Sequence, residues 1–148
     1  MKCYDTVLIG LGAIGSYYSE DLVMSKSVKY ATHAHSLCSH KGFNLIAGVD
    51  KNNSNLETAK RLWNITELTN SIENLSNLES IEVAVLATGP EYRLDAIKLF
   101  PNLKAVVLEK PSSISIEEGY ILESYCKNKN IIVQVNLTRR ADQQMINL

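Results

Sequence analysis

Thr6-Val7-Leu8-Ile9-Gly10-Leu11-Gly12-Ala13-Ile14-Gly15 decides the fold. A run of strand type meets three glycines spaced Gly10-x-Gly12-x-x-Gly15. An amphipathic stretch from Ile14 to Lys26 follows, with Ile14, Tyr17 or Tyr18, Leu22 and Val23 on one face. In a strand–turn–helix of this kind the first glycine permits a tight turn and the second lets the backbone approach a pyrophosphate. The third lets the helix pack closely on the strand. The helix start adds unpaired N–H groups and the positive end of a dipole. Many turns and some methyltransferases share this spacing, so its place between strand and helix supplies the specificity. The competing reading is a helix-starting turn with no ligand.

Outward from this turn, strand-length apolar runs alternate with helix-length stretches. Phe43 to Val49 reads as the second strand, and Asn53 or Ser54 caps the next helix, with Glu57 closing a capping box from Ser54. A short strand near Ile65 and a polar helix between Glu67 and Leu78 follow. Ile81 to Ala87 is a strong strand, Pro90 to Phe100 a helix, Lys104 to Leu108 a strand, Ser115 to Asn128 a helix and Ile131 to Val135 a last strand. Strands and helices in alternation imply right-handed crossovers and a parallel sheet covered on both faces. The expected class is α/β, a doubly wound parallel sheet.

The whole sequence has 148 residues, one domain's worth, with 15 Lys and Arg against 16 Asp and Glu. A near-neutral balance argues against nucleic-acid binding, which leaves a basic footprint. It also gives no reason to expect an anionic membrane as a partner. Apolar runs stop at strand length, short of a membrane span, and the early strand leaves no room for a signal peptide. Three scattered cysteines (Cys3, Cys38, Cys126) make a disulfide framework unexpected, so a reducing cytoplasm is the expected compartment.

Asp50 ends the second strand, where a carboxylate accepts hydrogen bonds from a ribose. An insertion lengthens the gap from the glycines beyond the usual spacing. Asp50 would repel a 2′-phosphate and favour NAD, whereas Lys51 beside it would pair with one, so NADP stays open. The insertion holds His33, His35, Cys38 and His40. A closed zinc site joins ligands from two separated segments, and no second cluster exists, so this segment is read as a helix rather than a metal centre.

Later residues add a family likeness. Gly10 to Gly15, Ala47-Gly48-Val49-Asp50, Ala87-Thr88 and above all Glu109-Lys110-Pro111 resemble the N-terminal domain of the Gfo/Idh/MocA oxidoreductases, from about Thr6 to Arg140. The resemblance implies a Rossmann domain that binds NAD, or NADP, through Gly10, Leu11, Gly12, Ala13, Ile14, Gly15, Asp50, Lys51, Ala87, Thr88, Gly89, Tyr92, Glu109, Lys110, Pro111 and Asn136. It also implies that Lys110 is a catalytic or cofactor-orienting residue and that the Lys110–Pro111 bond is open to the cis form. Gly89 stands where the family often has proline, and Arg93 where a histidine commonly falls. Asn136 and Thr138-Arg139-Arg140 resemble the crossing into a second domain, with Arg139 and Arg140 lining a substrate cleft or bridging the domains.

On this reading residues 1–136 form the dinucleotide-binding domain, and 137–148 begin the crossover to a substrate domain that the sequence does not encode. The resemblance implies an oxidoreductase acting on a sugar, cyclitol or nucleotide-linked sugar, catalytically incomplete as this chain alone. A free-standing dinucleotide-binding or redox-sensing module is the non-enzyme alternative, and a nucleoside-dependent methyltransferase a third. Homo-oligomerisation is left open.

Overall fold

The computed structural model describes residues 2–20, 23 and 30–137. Six strands form one sheet: β1 (Tyr4–Ile9), β2 (Phe43–Val49), β3 (Glu67–Thr69), β4 (Val83–Leu86), β5 (Ala105–Leu108) and β6 (Ile132–Val135). Their order is β3-β2-β1-β4-β5-β6 and every pairing is parallel. This is the doubly wound order in which the progression of strands across the sheet reverses between β1 and β4, opening a crevice at their carboxyl ends.

Successive strand residues bury on opposite faces. Val7, Ile9, Ala84, Leu86, Val106 and Leu108 share one core with Ile97, Phe100, Leu122 and Cys126. These last come from α3 (Arg93–Lys98), its C-terminal end, and α4 (Ile116–Asn128). Leu8, Leu45 and Val85 point the other way, to Leu11, to Ala34 and Leu37 of α1 (His33–Ser39) and to Ala59 of α2 (Asn53–Leu62). Full burial of a side chain such as Leu8 contributes roughly 1.5–3 kcal/mol. Two covered faces explain why the central strands β1 and β4 read as continuous apolar runs, whereas the edge strand β6 leaves Ile132 exposed.

Local differences from the sequence reading have physical causes. The helix expected over Ile14–Lys26 begins as a wide helical turn, Ala13–Tyr17, followed by a tight turn, Tyr18–Glu20; residues 21, 22 and 24–26 lie outside the described ones. Trp63 Nε1 donates to the Ser16 carbonyl and hydroxyl, at 3.1 and 3.0 Å, and pins this segment to the end of α2. The cap of α2 is neither Asn53 nor Ser54 but Asn52, whose Oδ1 accepts from the Ser54 N–H.

The expected polar helix Glu67–Leu78 is instead β3 and two short turns, Ile72–Asn74 and Leu78–Ser80. Its polar side chains capture the backbone locally. Glu67 accepts from Ser76 N–H, and Asn77 from Ser80 N–H. Such bonds compete with a helical ladder.

Among the described residues no helix is long and apolar enough to cross a membrane. None of the three cysteines is in a disulfide.

Candidate functional site

The sheet's register places the site. Val49, Ile9, Leu86, Leu108 and Val135 lie side by side as the last residues of five strands. The ladder then continues one row further. Gly10 N–H donates to Val49 O, Ala87 to Ile9 O, Glu109 to Leu86 O and Asn136 to Leu108 O, all within 2.8–3.0 Å. Asp50, Gly10, Ala87, Glu109 and Asn136 therefore form a row across the carboxyl edge, although they span most of the sequence.

The three glycines differ in what surrounds them. Gly10 has φ +92°, a left-handed backbone that disfavours any side chain, and an added Cβ would lie 2.8 Å from Ala87 O. At Gly15 an added Cβ would lie 2.0 Å from Gly10 O. At Gly12 an added Cβ would meet nothing within 4 Å. Gly10 and Gly15 are locked by backbone, while Gly12 faces open space. That space belongs to a groove of about 790 Å³ lined by Gly10, Gly12, Asp50, Lys51, Thr88 and Tyr92, among others. A pyrophosphate lying against a bare backbone is what such a cradle fits.

Asp50 is held firmly. Its Oδ2 accepts from Leu11 N–H at 2.7 Å and from Asn55 Nδ2 at 3.0 Å, and its Oδ1 accepts from Asn52 N–H at 2.8 Å. A carboxylate offers about four acceptor positions, so one stays open, and the Asn55 amide is the partner a hydroxyl could replace. Leu11 is fully buried in the core and does not line the groove, whereas Lys51 lines it and is exposed. Ala87, Thr88 and Gly89 form the opposite wall with Tyr92. Tyr92 is 79% exposed and, at φ +63°, sits in the sparsely populated left-handed region. Ala13 and Ile14 lie in the helical turn that follows the cradle.

Glu109, Lys110, Pro111 and Asn136 form a second cluster beside the groove. Lys110–Pro111 is cis. Glu109 is buried, and its carboxylate points into the protein: Oε1 accepts from His33 Nε2 at 2.8 Å and from Asn136 Nδ2 at 2.5 Å, and Oε2 from Lys110 N–H at 3.3 Å. Burial pushes this carboxyl's pKa up, but the Asn136 and His33 hydrogen bonds outweigh it and hold the group below the ordinary carboxylate range. Lys110 is two-thirds exposed, with Nζ 3.9 Å from Glu109 Oε2. Arg93 joins the two clusters. Fully buried, it lines the groove, and its guanidinium donates to the carbonyls of Thr88, Glu109 and Pro111.

The three histidines diverge. His33 serves Glu109, His35 packs its ring between Tyr30 and Trp63, and His40 Nδ1 accepts from Gly42 N–H. Among the described residues no group of three His, Cys, Asp or Glu could hold a metal ion. Sequence reasoning missed the roles of His33 and Arg93. His33 lies 76 positions from its partner, and no local pattern marks such a contact. Arg139 and Arg140 lie outside the described residues.

Strand order and glycine turn together define a dinucleotide-binding Rossmann domain. The chain belongs to the Gfo/Idh/MocA family, described as an oxidoreductase family with an NAD-binding Rossmann fold, whose model matches residues 4–137. Among solved structures it is similar to a candidate myo-inositol dehydrogenase from Sinorhizobium meliloti (20% identity, 97% of this chain and 39% of that one, TM-score 0.74). It is also similar to apo scyllo-inositol dehydrogenase from Lactobacillus casei (17%, 95% and 38%, TM-score 0.71). A third is an oxidoreductase from Agrobacterium radiobacter in complex with NAD+, L-tartaric acid and magnesium (16%, 90% and 35%, TM-score 0.69). The chain thus spans well under half the length of these structures. No curated protein matches it.

Proposed function

We propose that this chain is the cofactor-binding part of an NAD(P)-dependent oxidoreductase. It serves hydride transfer to or from a secondary alcohol or ketone of a sugar, cyclitol or nucleotide-linked sugar. The observation that carries this reading is the open cradle over Gly12, between two glycines that cannot take a side chain. A dinucleotide with its pyrophosphate there would supply hydride chemistry at C4 of its nicotinamide.

The chain's own residues divide the work. The backbone from Gly10 to Gly15 holds the pyrophosphate, and Asp50 accepts from the adenosine ribose. Because Asp50 repels a 2′-phosphate, NAD is the preferred cofactor over NADP. Ala87, Thr88, Gly89 and Tyr92 line the path toward the nicotinamide. Lys110 donates a hydrogen bond to the reacting oxygen and stabilises the charge that develops there. The carboxylate of Glu109 is taken up by His33, Asn136 and the Lys110 N–H, so it supports Lys110 rather than the cofactor directly, while Asn136 keeps its amide oxygen for the nicotinamide side.

Residues 1–136 act as the dinucleotide half, and 137–148 begin the crossover to a substrate domain. The length of the structural neighbours beyond the matched region supports this division. The sugar or cyclitol class rests on the inositol dehydrogenases among those neighbours.

Calorimetric titration with NADH and NADPH tests the reading. The expected result is saturable NADH binding that is lost in Gly12→Val and weakened in Asp50→Ala. Binding of S-adenosylmethionine without NADH would replace it with the methyltransferase alternative.

A further inference from the structure

We propose that Arg93 and His33 are positioning residues that hold Lys110 for the nicotinamide end of the cofactor, an inference that rests on the dinucleotide reading above.

The argument starts from what immobilises the chain on either side of Lys110. Residue 109 is held at two points: its carbonyl accepts from Arg93 Nη1, and its carboxylate accepts from His33 and Asn136. Residue 111 is held at its carbonyl by the same Arg93 Nη1, at 2.6 Å. Both neighbours of Lys110 are thus tied down, while Lys110 itself is left largely exposed with its ammonium 3.9 Å from Glu109 Oε2. The other arm of the guanidinium, Nη2, reaches Thr88 O at 2.6 Å, and Thr88 lines the groove. One side chain therefore fixes the groove wall and the lysine segment at a constant separation.

The residue type is costly for packing alone. Arg93 is 1% exposed, and its Nε has no partner. Burying a guanidinium costs more than burying an aliphatic side chain of similar volume. What the aliphatic chain lacks is a planar fork of donors able to bind three carbonyls in fixed relation. His33 supplies the matching anchor from the far side. Thr32 caps α1 by accepting from His35 N–H, which sets the first turn and with it the direction of the His33 ring. Binding groups that must act at one place gain from being held there beforehand.

The test compares NADH with ADP-ribose, which lacks the nicotinamide but keeps the parts read by the glycine turn and Asp50. Wild-type chain should bind NADH more tightly than ADP-ribose, and Lys110→Ala should remove most of that difference. His33→Leu and Arg93→Leu should reduce the same difference on the order of tenfold and leave ADP-ribose affinity within about twofold. His33→Gln keeps a donor for Glu109 and should restore the difference. If Arg93→Leu does not fold, Arg93→Lys, which keeps a cation but lacks the fork that spans three carbonyls, takes its place and should show a reduced difference with ADP-ribose affinity kept.

NADH and ADP-ribose weakening in parallel would overturn the proposal, because a purely structural role loosens both. An unchanged difference in His33→Leu, or in Lys110→Ala, would overturn it as well. Failure of wild-type chain to bind either ligand would instead overturn the dinucleotide reading, and this inference with it.

Discussion

The two halves of the candidate site are built from different materials. At the glycine turn, backbone does the shaping: Gly10 and Gly15 press against carbonyl groups, and Gly12 opens onto the groove. At the Glu109–Pro111 corner, side chains do it. His33, Arg93 and Asn136 converge from three elements on one short segment. A backbone device is local, so a few neighbouring residues specify it. A side-chain device needs the whole sheet in register before its parts meet, and it fails gradually as its members are removed.

Substitutions at the glycines should give the largest effects and the sharpest contrast. Gly15→Ala puts a Cβ 2.0 Å from Gly10 O, where backbone must move. It should destabilise the fold by about 3 kcal/mol or more, read from urea midpoints. Gly12→Val places its Cβ where nothing lies within 4 Å. Its stability should change by less than about 1 kcal/mol, while NADH affinity falls on the order of a hundredfold or more. If both variants lose stability equally, the distinction between locked and open glycines is wrong.

Glu109→Ala comes next. It leaves His33 and Asn136 without their acceptor in a buried place, and should destabilise the chain by about 2–4 kcal/mol. Glu109→Gln keeps one acceptor oxygen and should lose less. Equal midpoints for wild type and Glu109→Ala would mean that the corner is not held by this carboxylate.

The same contrast explains what could be read in the sequence. β2 was legible to the residue, because only the exposed Asn44 interrupts the apolar run from Phe43 to Val49. The glycine spacing located the cradle. Glu67–Leu78 is not helix although Leu68, Ile72, Leu75 and Leu78 imitate helical spacing. In the fold Leu68 packs on one core and the other three on or beside the opposite one. The Lys110 segment was visible as a motif, but not its supports. A lone histidine and a lone arginine carry no periodic signal.

Asp50 tests whether the glycine half is purely backbone. Its carboxylate already binds Leu11 N–H, so it shapes the turn as well as facing the groove. Asp50→Ala should weaken NADH about tenfold and NADPH less, raising the NADPH to NADH affinity ratio. Calorimetry on both cofactors reads this. An unchanged ratio would leave Asp50 a structural role only.

The smallest expected effect lies in the acid range and concerns Glu109 again. Its folded carboxyl is shifted below the ordinary range, since the Asn136 and His33 hydrogen bonds overcome burial. Between the folded and unfolded values the unfolded chain binds more protons, so stability rises with pH there. The contribution is complete above the ordinary Glu value of about 4.3 and is lost as pH falls through the lowered folded value. Other carboxylates add a similar slope; Glu82, beside Lys104 and Lys2, is lowered to about 2. Because that background is common to wild type and Glu109→Gln, the difference between their urea midpoints, followed from neutral pH into acid, isolates the corner. Wild type should lose its advantage on acidification. A difference that stays constant with pH would mean that the buried carboxylate is no better satisfied in the fold than in water, and the side-chain half of the site would then owe its geometry to the sheet alone.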